Sequence, residues 1–333
     1  MGVVRHRDLD LLLTKGGNVV KEGLLHQSRV FGGTAHPEFA QRIAKLLHLP
    51  FTPIVLTRFP DGELKPSIQV PLECEVAIVV QPTPPPVNDR LMELLLSVEA
   101  LYGADIQSVI AVVPYLGYAR QCRRDAPGEP LSAKLILQML ECAGAKAIIT
   151  VDLHDPSVVR FAKVPVWNVR VEETLADYIK IFFPIEREPT IVAPDRGGAE
   201  RARAVAQRLR LPIVVLEKRR EKLGGWAQSV IRESTVDSLQ GKGAIIVDDM
   251  VTTGGTIIAA VRALRQEGAD VWGAVCTHGV LCSGTLDRLR EITLPRLAVS
   301  DSLPVLSSPP MLDCFSIAPL ISKAIRETLM QVS

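Results

Sequence analysis

An alternation limits the folds open to this chain more than any other feature. Short β-branched runs are separated by amphipathic segments. The runs include SVIAVVPY (108–115), KAIITVDLH (146–154), TIVAPD (190–195), PIVVLEK (212–218), AIIVDDM (244–250) and WGAVCTH (272–278). In DRLMELLLSVEALYGA (89–104), Leu91, Leu94, Leu95, Val98 and Leu101 recur at helical spacing. Strands alternating with helices predict α/β domains with mainly parallel sheets, covered on both faces. Several runs stop abruptly in polar or glycine-rich residues: YLGYARQ, DLHD, PDRGG and DDMVTTGGT. In such sheets ligands bind beyond the carboxyl ends of the strands. Two of these ends fall in each half of the 333 residues, so two similar domains are expected. No low-complexity linker separates them, and the division is set at 166/167.

Composition excludes several classes. Hydrophobic residues make up 47%, enough for two sizeable cores, and a formal net charge of +1 points to no nucleic-acid or membrane-surface partner. No apolar run is long enough to span a bilayer. The first residues carry Asp8 and Asp10, unlike a secretory or transit segment. Six scattered cysteines without CxxC spacing predict reduced, mostly buried thiols and a cytoplasmic protein.

The most informative segment is AIIVDDMVTTGGTIIAAVRALRQEG (244–268). An apolar strand ends at Asp248 and Asp249, a Thr/Gly loop follows, and a helix is predicted from near Thr256 to Gly268. Gly254 and Gly255 allow backbone N–H groups to turn inward around a phosphate. Thr253 and Thr256 add hydroxyl donors, and the helix N-terminus adds positive dipole. The two carboxylates, expected at a solvent-facing strand end, could accept from sugar hydroxyls or hold hydrated Mg²⁺. The absence of GxxxxGK[ST] disfavours a P-loop kinase.

This segment resembles the 5-phosphoribosyl 1-diphosphate (PRPP) motif shared by type I phosphoribosyltransferases and ribose-phosphate diphosphokinases. The resemblance implies Asp248 and Asp249 for the ribose, and Thr252, Thr253, Gly254, Gly255 and Thr256 for the sugar-phosphate side. Other segments are similar to the diphosphokinase branch. RFPDGELKPSI (58–68) resembles an ATP-site segment that serves a neighbouring subunit, implying Phe59, Asp61 and Glu63. VPYLGYARQ (113–121) implies Arg120 and Gln121 at the nucleotide. VDLHD (151–155) resembles VDLHA, implying His154 as a magnesium ligand. APDRGGAERARAVA (193–206) implies Asp195 at the metal or the sugar phosphate. EKRR (217–220) resembles the opening of a mobile catalytic loop, implying Lys218 and Arg220 at the transferring phosphoryl group. His278 is expected to be structural.

The resemblance covers residues 29–330. It implies two tandem type I phosphoribosyltransferase-like α/β domains: an ATP-site domain at 29–166, with 309–333 as a candidate addition, and a ribose 5-phosphate or PRPP domain at 167–308. It implies ATP and ribose 5-phosphate as substrates, Mg²⁺ as cofactor and a homo-oligomeric ring. Residues 1–28 match nothing in the family and read as an extension. Departures also occur: Cys122 and Thr252 stand where the family usually has Asp, Trp167 interrupts VPVDN, and Ala126 and Gly128 replace basic residues. The leading expectation is transfer of the β,γ-diphosphoryl group of ATP to the C1 hydroxyl of ribose 5-phosphate. A catalytically impaired regulatory paralogue and a PRPP-dependent phosphoribosyltransferase are the competing readings. The segments at 59–63 and 120–121 disfavour the latter.

Overall fold

A computed structural model of the chain describes residues 27–68, 74–124, 126–219, 228–307 and 309–331. The expected extension therefore lies almost wholly outside the described residues, as does Arg220.

The first half builds one sheet. Its strands are β1 (Ser28–Gly32), β2 (Phe51–Pro53), β5 (Val76–Val80), β6 (Ser108–Val113), β7 (Ala145–Val151) and β8 (Val166–Val169). They lie in the order β2-β1-β5-β6-β7-β8, every pair parallel. Every residue of β5 and β6 is buried, because helices cover both faces. Helices α1 (Pro37–Leu47), α2 (Val87–Tyr102) and α3 (Ser132–Cys142) connect the strands. Proline suits the first turn of α1, where its missing N–H costs nothing, and His48 closes that helix at a φ of 57°. The apolar stripe expected on α2 is the buried one: Leu91, Leu94, Leu95, Val98 and Leu101 all face the core. A separate antiparallel hairpin, β3 (Val55–Arg58) with β4 (Leu64–Ser67), packs on α2.

The second half builds a seven-stranded sheet in the order β11-β10-β9-β12-β13-β14-β15. These strands are β9 (Thr190–Ala193), β10 (Ile213–Arg219), β11 (Gln228–Ser234), β12 (Gly243–Val251), β13 (Asp270–Gly279), β14 (Leu297–Ser300) and β15 (Leu312–Phe315). Only the β10–β11 pair is antiparallel. Helices α4 (Glu172–Phe182), α5 (Ala199–Leu209), α6 (Gly255–Gln266), α7 (Thr285–Glu291) and α8 (Ala318–Leu329) complete the chain.

Three sequence expectations change. Residues 166–169 pair with β7, so the sheets divide after Val169 rather than at 166/167. The 309–333 segment is split: β15 extends the second sheet, while α8 returns to pack on α1, β7 and β8. The thiols are not mostly buried: all six cysteines are free, but only Cys276 is buried and Cys142, Cys282 and Cys314 are exposed. Scattered cysteines belong to no periodic apolar stripe, so the sequence carried no signal for their burial.

One apolar cluster spans both sheets, from Val30, Ile78 and Ile149 to Ile191, Val247 and Val275, with α8 contributing Ile321 and Ile325. Fully burying a Val, Ile or Leu contributes about 1.5–3 kcal/mol. The ion pair Arg42–Asp301, at 3.1 Å, joins a half-exposed guanidinium to a buried carboxylate whose desolvation offsets much of the attraction. Apolar packing therefore holds the two sheets together and aligns the carboxyl ends of their strands. No helix among the described residues is long and apolar enough to cross a membrane.

Candidate active site

The site begins at the end of β12. Asp248 and Asp249 are 6% and 5% exposed, so the expected solvent-facing strand end is instead buried. The reason is tertiary: His154, on the loop after β7 of the other sheet, lies against Asp249, and the turn at Gly197 and Gly198 lies against Asp248. Nδ1 of His154 lies 2.6 Å from Oδ2 of Asp249. Asp249 N–H donates to Asp248 Oδ1 at 2.9 Å.

This arrangement divides the charge of the pair. Burial, then the neighbouring carboxylates of Asp249 and Asp195, pushes Asp248 well above the ordinary range. Burial also opposes ionisation of Asp249, but the His154 hydrogen bond and the Arg201 guanidinium outweigh it and hold that carboxyl down to about 2. The hydrogen bond to Asp249 raises His154 against its own desolvation. One carboxylate thus stays charged against the His154 ring, while the other favours its proton.

The Thr/Gly loop expected to hold a phosphate follows. Gly254 adopts a φ of 80° and caps α6, which starts at Gly255, close to the expected Thr256. The loop is held from behind. Thr252 O accepts from Cys282 N–H at 3.0 Å and from Thr285 Oγ1 at 2.7 Å. Thr253 O accepts from Arg288 Nε and Nη2 at 3.1 and 3.0 Å. With its carbonyls turned back into the protein, the loop can present N–H groups and the Thr253 and Thr256 hydroxyls to an anion.

A cleft of about 950 Å³ lies between the sheets. Arg120, Gln121, His154, Asp195, Arg196 and Glu217 are among its lining residues. Arg120 and Gln121 follow β6, where Tyr118 takes a φ of 65° and Gln121 N–H closes the turn on Tyr118 O at 2.9 Å. Asp195 Oδ1 accepts from Gly197 and Gly198 N–H at 3.0 and 3.2 Å. A Cβ added at Gly197 would lie 3.3 Å from Asp195 Oδ1 and 4.0 Å from His154 Cε1, and one at Gly198 would lie 3.4 Å from Asp248 Oδ1. The turn at 197–198 therefore brings Asp195, His154 and Asp248 to one place.

Other expected residues stand apart. Phe59, Asp61 and Glu63 occupy the β3–β4 hairpin tip, shaped by Phe59 N–H donating to Glu63 O at 2.8 Å, and none lines the cleft. Phe59 is 42% exposed. Within one chain the hairpin packs on α2, where Arg58 pairs with Asp89. Lys218 lies in β10, paired with Ser229, and its side chain is outside the described residues, as is Arg220.

Four polar residues escaped the sequence reading. Asp152, Arg201 and Thr277 form a buried cluster between the sheets, and Arg288 holds the phosphate loop. Arg201 carried a signal: it shares the buried stripe of α5 with Ala202, Val205 and Ala206. A charged residue on an apolar face implies a buried partner. His278 is structural in its contacts, with Nδ1 2.9 Å from Ser302 Oγ and Nε2 3.2 Å from Val151 O. Burial lowers its pKa, so it stays neutral.

Among the described residues no three His, Cys, Asp or Glu side chains are arranged to hold a metal ion. Mg²⁺ arriving with phosphates needs only one or two protein ligands. A cleft-wall carboxylate at Asp195, with ionised Asp249 behind His154, suits such a hard cation.

Residues 28–144 match the family model described as the N-terminal domain of ribose phosphate pyrophosphokinase, and residues 170–292 match a phosphoribosyl transferase domain. The chain is 37% identical over 298 residues to a ribose-phosphate pyrophosphokinase of Helicobacter pylori, covering 90% of this chain and 92% of that one. It is 38% identical over 299 residues to one from Wolinella succinogenes, covering 90% and 94%. A crystal structure of phosphoribosylpyrophosphate synthetase from Mycobacterium smegmatis superposes with a TM-score of 0.83 at 34% identity, covering 92% of this chain and 99% of that one.

Proposed function

The chain belongs to the ribose-phosphate pyrophosphokinase family, and on that premise we propose that it transfers the β,γ-diphosphoryl group of ATP to the C1 hydroxyl of ribose 5-phosphate, giving PRPP and AMP. The observation that carries this reading is the His154–Asp249 contact at 2.6 Å. It joins the loop beside the Arg120–Gln121 cleft to the acids beside the phosphate cradle, so a nucleotide and a sugar phosphate bound at the two places would meet.

In-line diphosphoryl transfer needs positioning and charge neutralisation more than covalent help. The cradle at Thr252–Thr256 would hold the 5-phosphate. Asp249, ionised, would accept from a ribose hydroxyl. Asp248, favouring its proton, could donate to one or accept from one. That geometry would turn C1 toward the cleft. Arg120 and Gln121 would hold the nucleotide, and Lys218 and Arg220 would neutralise charge growing on the transferred group. Asp195 and His154 would hold Mg²⁺, which when bound supplies charge neutralisation at the diphosphoryl oxygens.

Phe59, Asp61 and Glu63 do not line their own cleft, and Phe59 is exposed, which favours an ATP site completed by the hairpin of a second copy in a homo-oligomeric ring. Mass analysis of products from ATP, Mg²⁺ and ribose 5-phosphate tests the reading. AMP and PRPP in equal amounts are expected. ADP would mean transfer of a single phosphoryl group, and no product would favour a regulatory chain.

A further inference from the structure

Asp152 closes β7 in a conformation few residues adopt: its φ is 45°, left-handed, and it is 2% exposed. Its carboxylate explains how the position is kept. Arg201 Nε donates to Oδ2 at 2.7 Å and Arg201 Nη2 to Oδ1 at 3.1 Å, a two-pronged contact. Thr277 Oγ1 donates to Oδ2 at 2.5 Å. Arg201 on α5 and Thr277 on β13 belong to the second sheet's domain, whereas Asp152 belongs to the first. The backbone is fixed from its own side as well, since Asp152 N–H donates to Val169 O at 2.9 Å and Leu153 N–H to Asn168 Oδ1 at 2.9 Å. Two residues beyond Asp152 stands His154, against Asp249.

We propose that Arg201 is a positioning residue: its fork on Asp152 sets where His154 stands relative to Asp248 and Asp249, and so registers the nucleotide side of the site against the sugar side. This rests on the functional reading above. A bulk ion pair joining two domains could sit anywhere along their interface. This one is attached to the backbone that carries His154, and a planar guanidinium resists both sliding and rotation of the carboxylate, as an ammonium does not. Arg201 is buried and reaches neither the cleft nor the loop after β12 through any hydrogen bond found among the described residues, so its geometric hold on the site passes through Asp152, while its charge, which also acts on Asp249, is retained in Arg201→Lys.

The test measures AMP release by wild type, Arg201→Lys and Asp152→Asn, each normalised to its folded fraction by circular dichroism, and repeats Arg201→Lys in a His154→Ala background. Arg201→Lys keeps the charge but not the fork, and should lower kcat roughly 10–100-fold. The KM for ribose 5-phosphate should move by less than about threefold, and Asp152→Asn should behave alike. In the His154→Ala background, Arg201→Lys should add less than about threefold, because the group it positions is gone. If the charge variants do not fold, Thr277→Val removes one donor to the same carboxylate without stranding a charge, and should lower kcat with the same dependence on His154. Full kcat in the folded variants, or losses that multiply with His154→Ala, would overturn the inference alone. Wild type that releases no AMP would overturn the functional reading and this inference with it.

Discussion

Nδ1 of His154 and Oδ2 of Asp249 lie 2.6 Å apart although 95 residues separate them, and they project from the strand ends of two different sheets. The contact is charge-assisted, and its pH dependence follows. His154 is raised by Asp249, so its contribution is present below the ordinary imidazole range and lost as pH rises through the raised value. Asp249 is held down to about 2, so its contribution is present above the ordinary carboxyl range and lost only as pH falls toward about 2. The contact is therefore strongest between about pH 4 and 6. The imidazole is 41% exposed, so screening keeps the effect below about 1 kcal/mol. Urea unfolding of wild type and His154→Gln should show the largest stability difference near pH 5 and a smaller one near pH 9. A difference that grows with pH would contradict the assignment.

Asp248 should trade stability for binding. Its raised pKa means that it favours the folded state while protonated and opposes it as pH rises through the folded value. Asp248→Asn keeps an oxygen for the Asp249 N–H and never ionises. The variant should gain about 1–2 kcal/mol at pH 8, with the gain vanishing in acid, while ribose 5-phosphate affinity falls. Thermal melts across pH and calorimetry with the sugar phosphate measure both. Unchanged affinity would remove Asp248 from the sugar site.

Arg288 supports the cradle without belonging to it. Two of its bonds go to the Thr253 carbonyl rather than to the N–H groups that would meet an anion. Arg288→Ala should raise the KM for ribose 5-phosphate roughly tenfold, with a smaller change in kcat and in the KM for ATP. Equal losses for both substrates would mean a general collapse rather than a loosened cradle.

Lys218→Ala should lower turnover roughly 10²-fold with little change in ATP affinity. The expectation rests on its place in β10 near Glu217, which lines the cleft. Turnover equal to wild type would exclude Lys218 from neutralising the transferred group.

The α/β class, the parallel strands and the glycine turn before α6 were legible in the sequence because local physics dictates them. Apolar period selects strand or helix, and Gly254 at a φ of 80° allows the turn that a Cβ would strain. Arg120, Gln121, His154 and Asp195 were singled out by the family resemblance of the segments that end their apolar runs, and one cleft gathers all four. What the sequence could not carry depends on which strand ends face each other across the two sheets. The burial of Asp248 and Asp249, the separation of the hairpin bearing Phe59 from the cleft lining, and the reach of Arg201 across to Asp152 are all of that kind. Side-chain period states that a residue faces inward, but not what it meets there. Only the shared apolar core, by aligning both sheets, turned a charged residue on an apolar stripe into a bond beside the site.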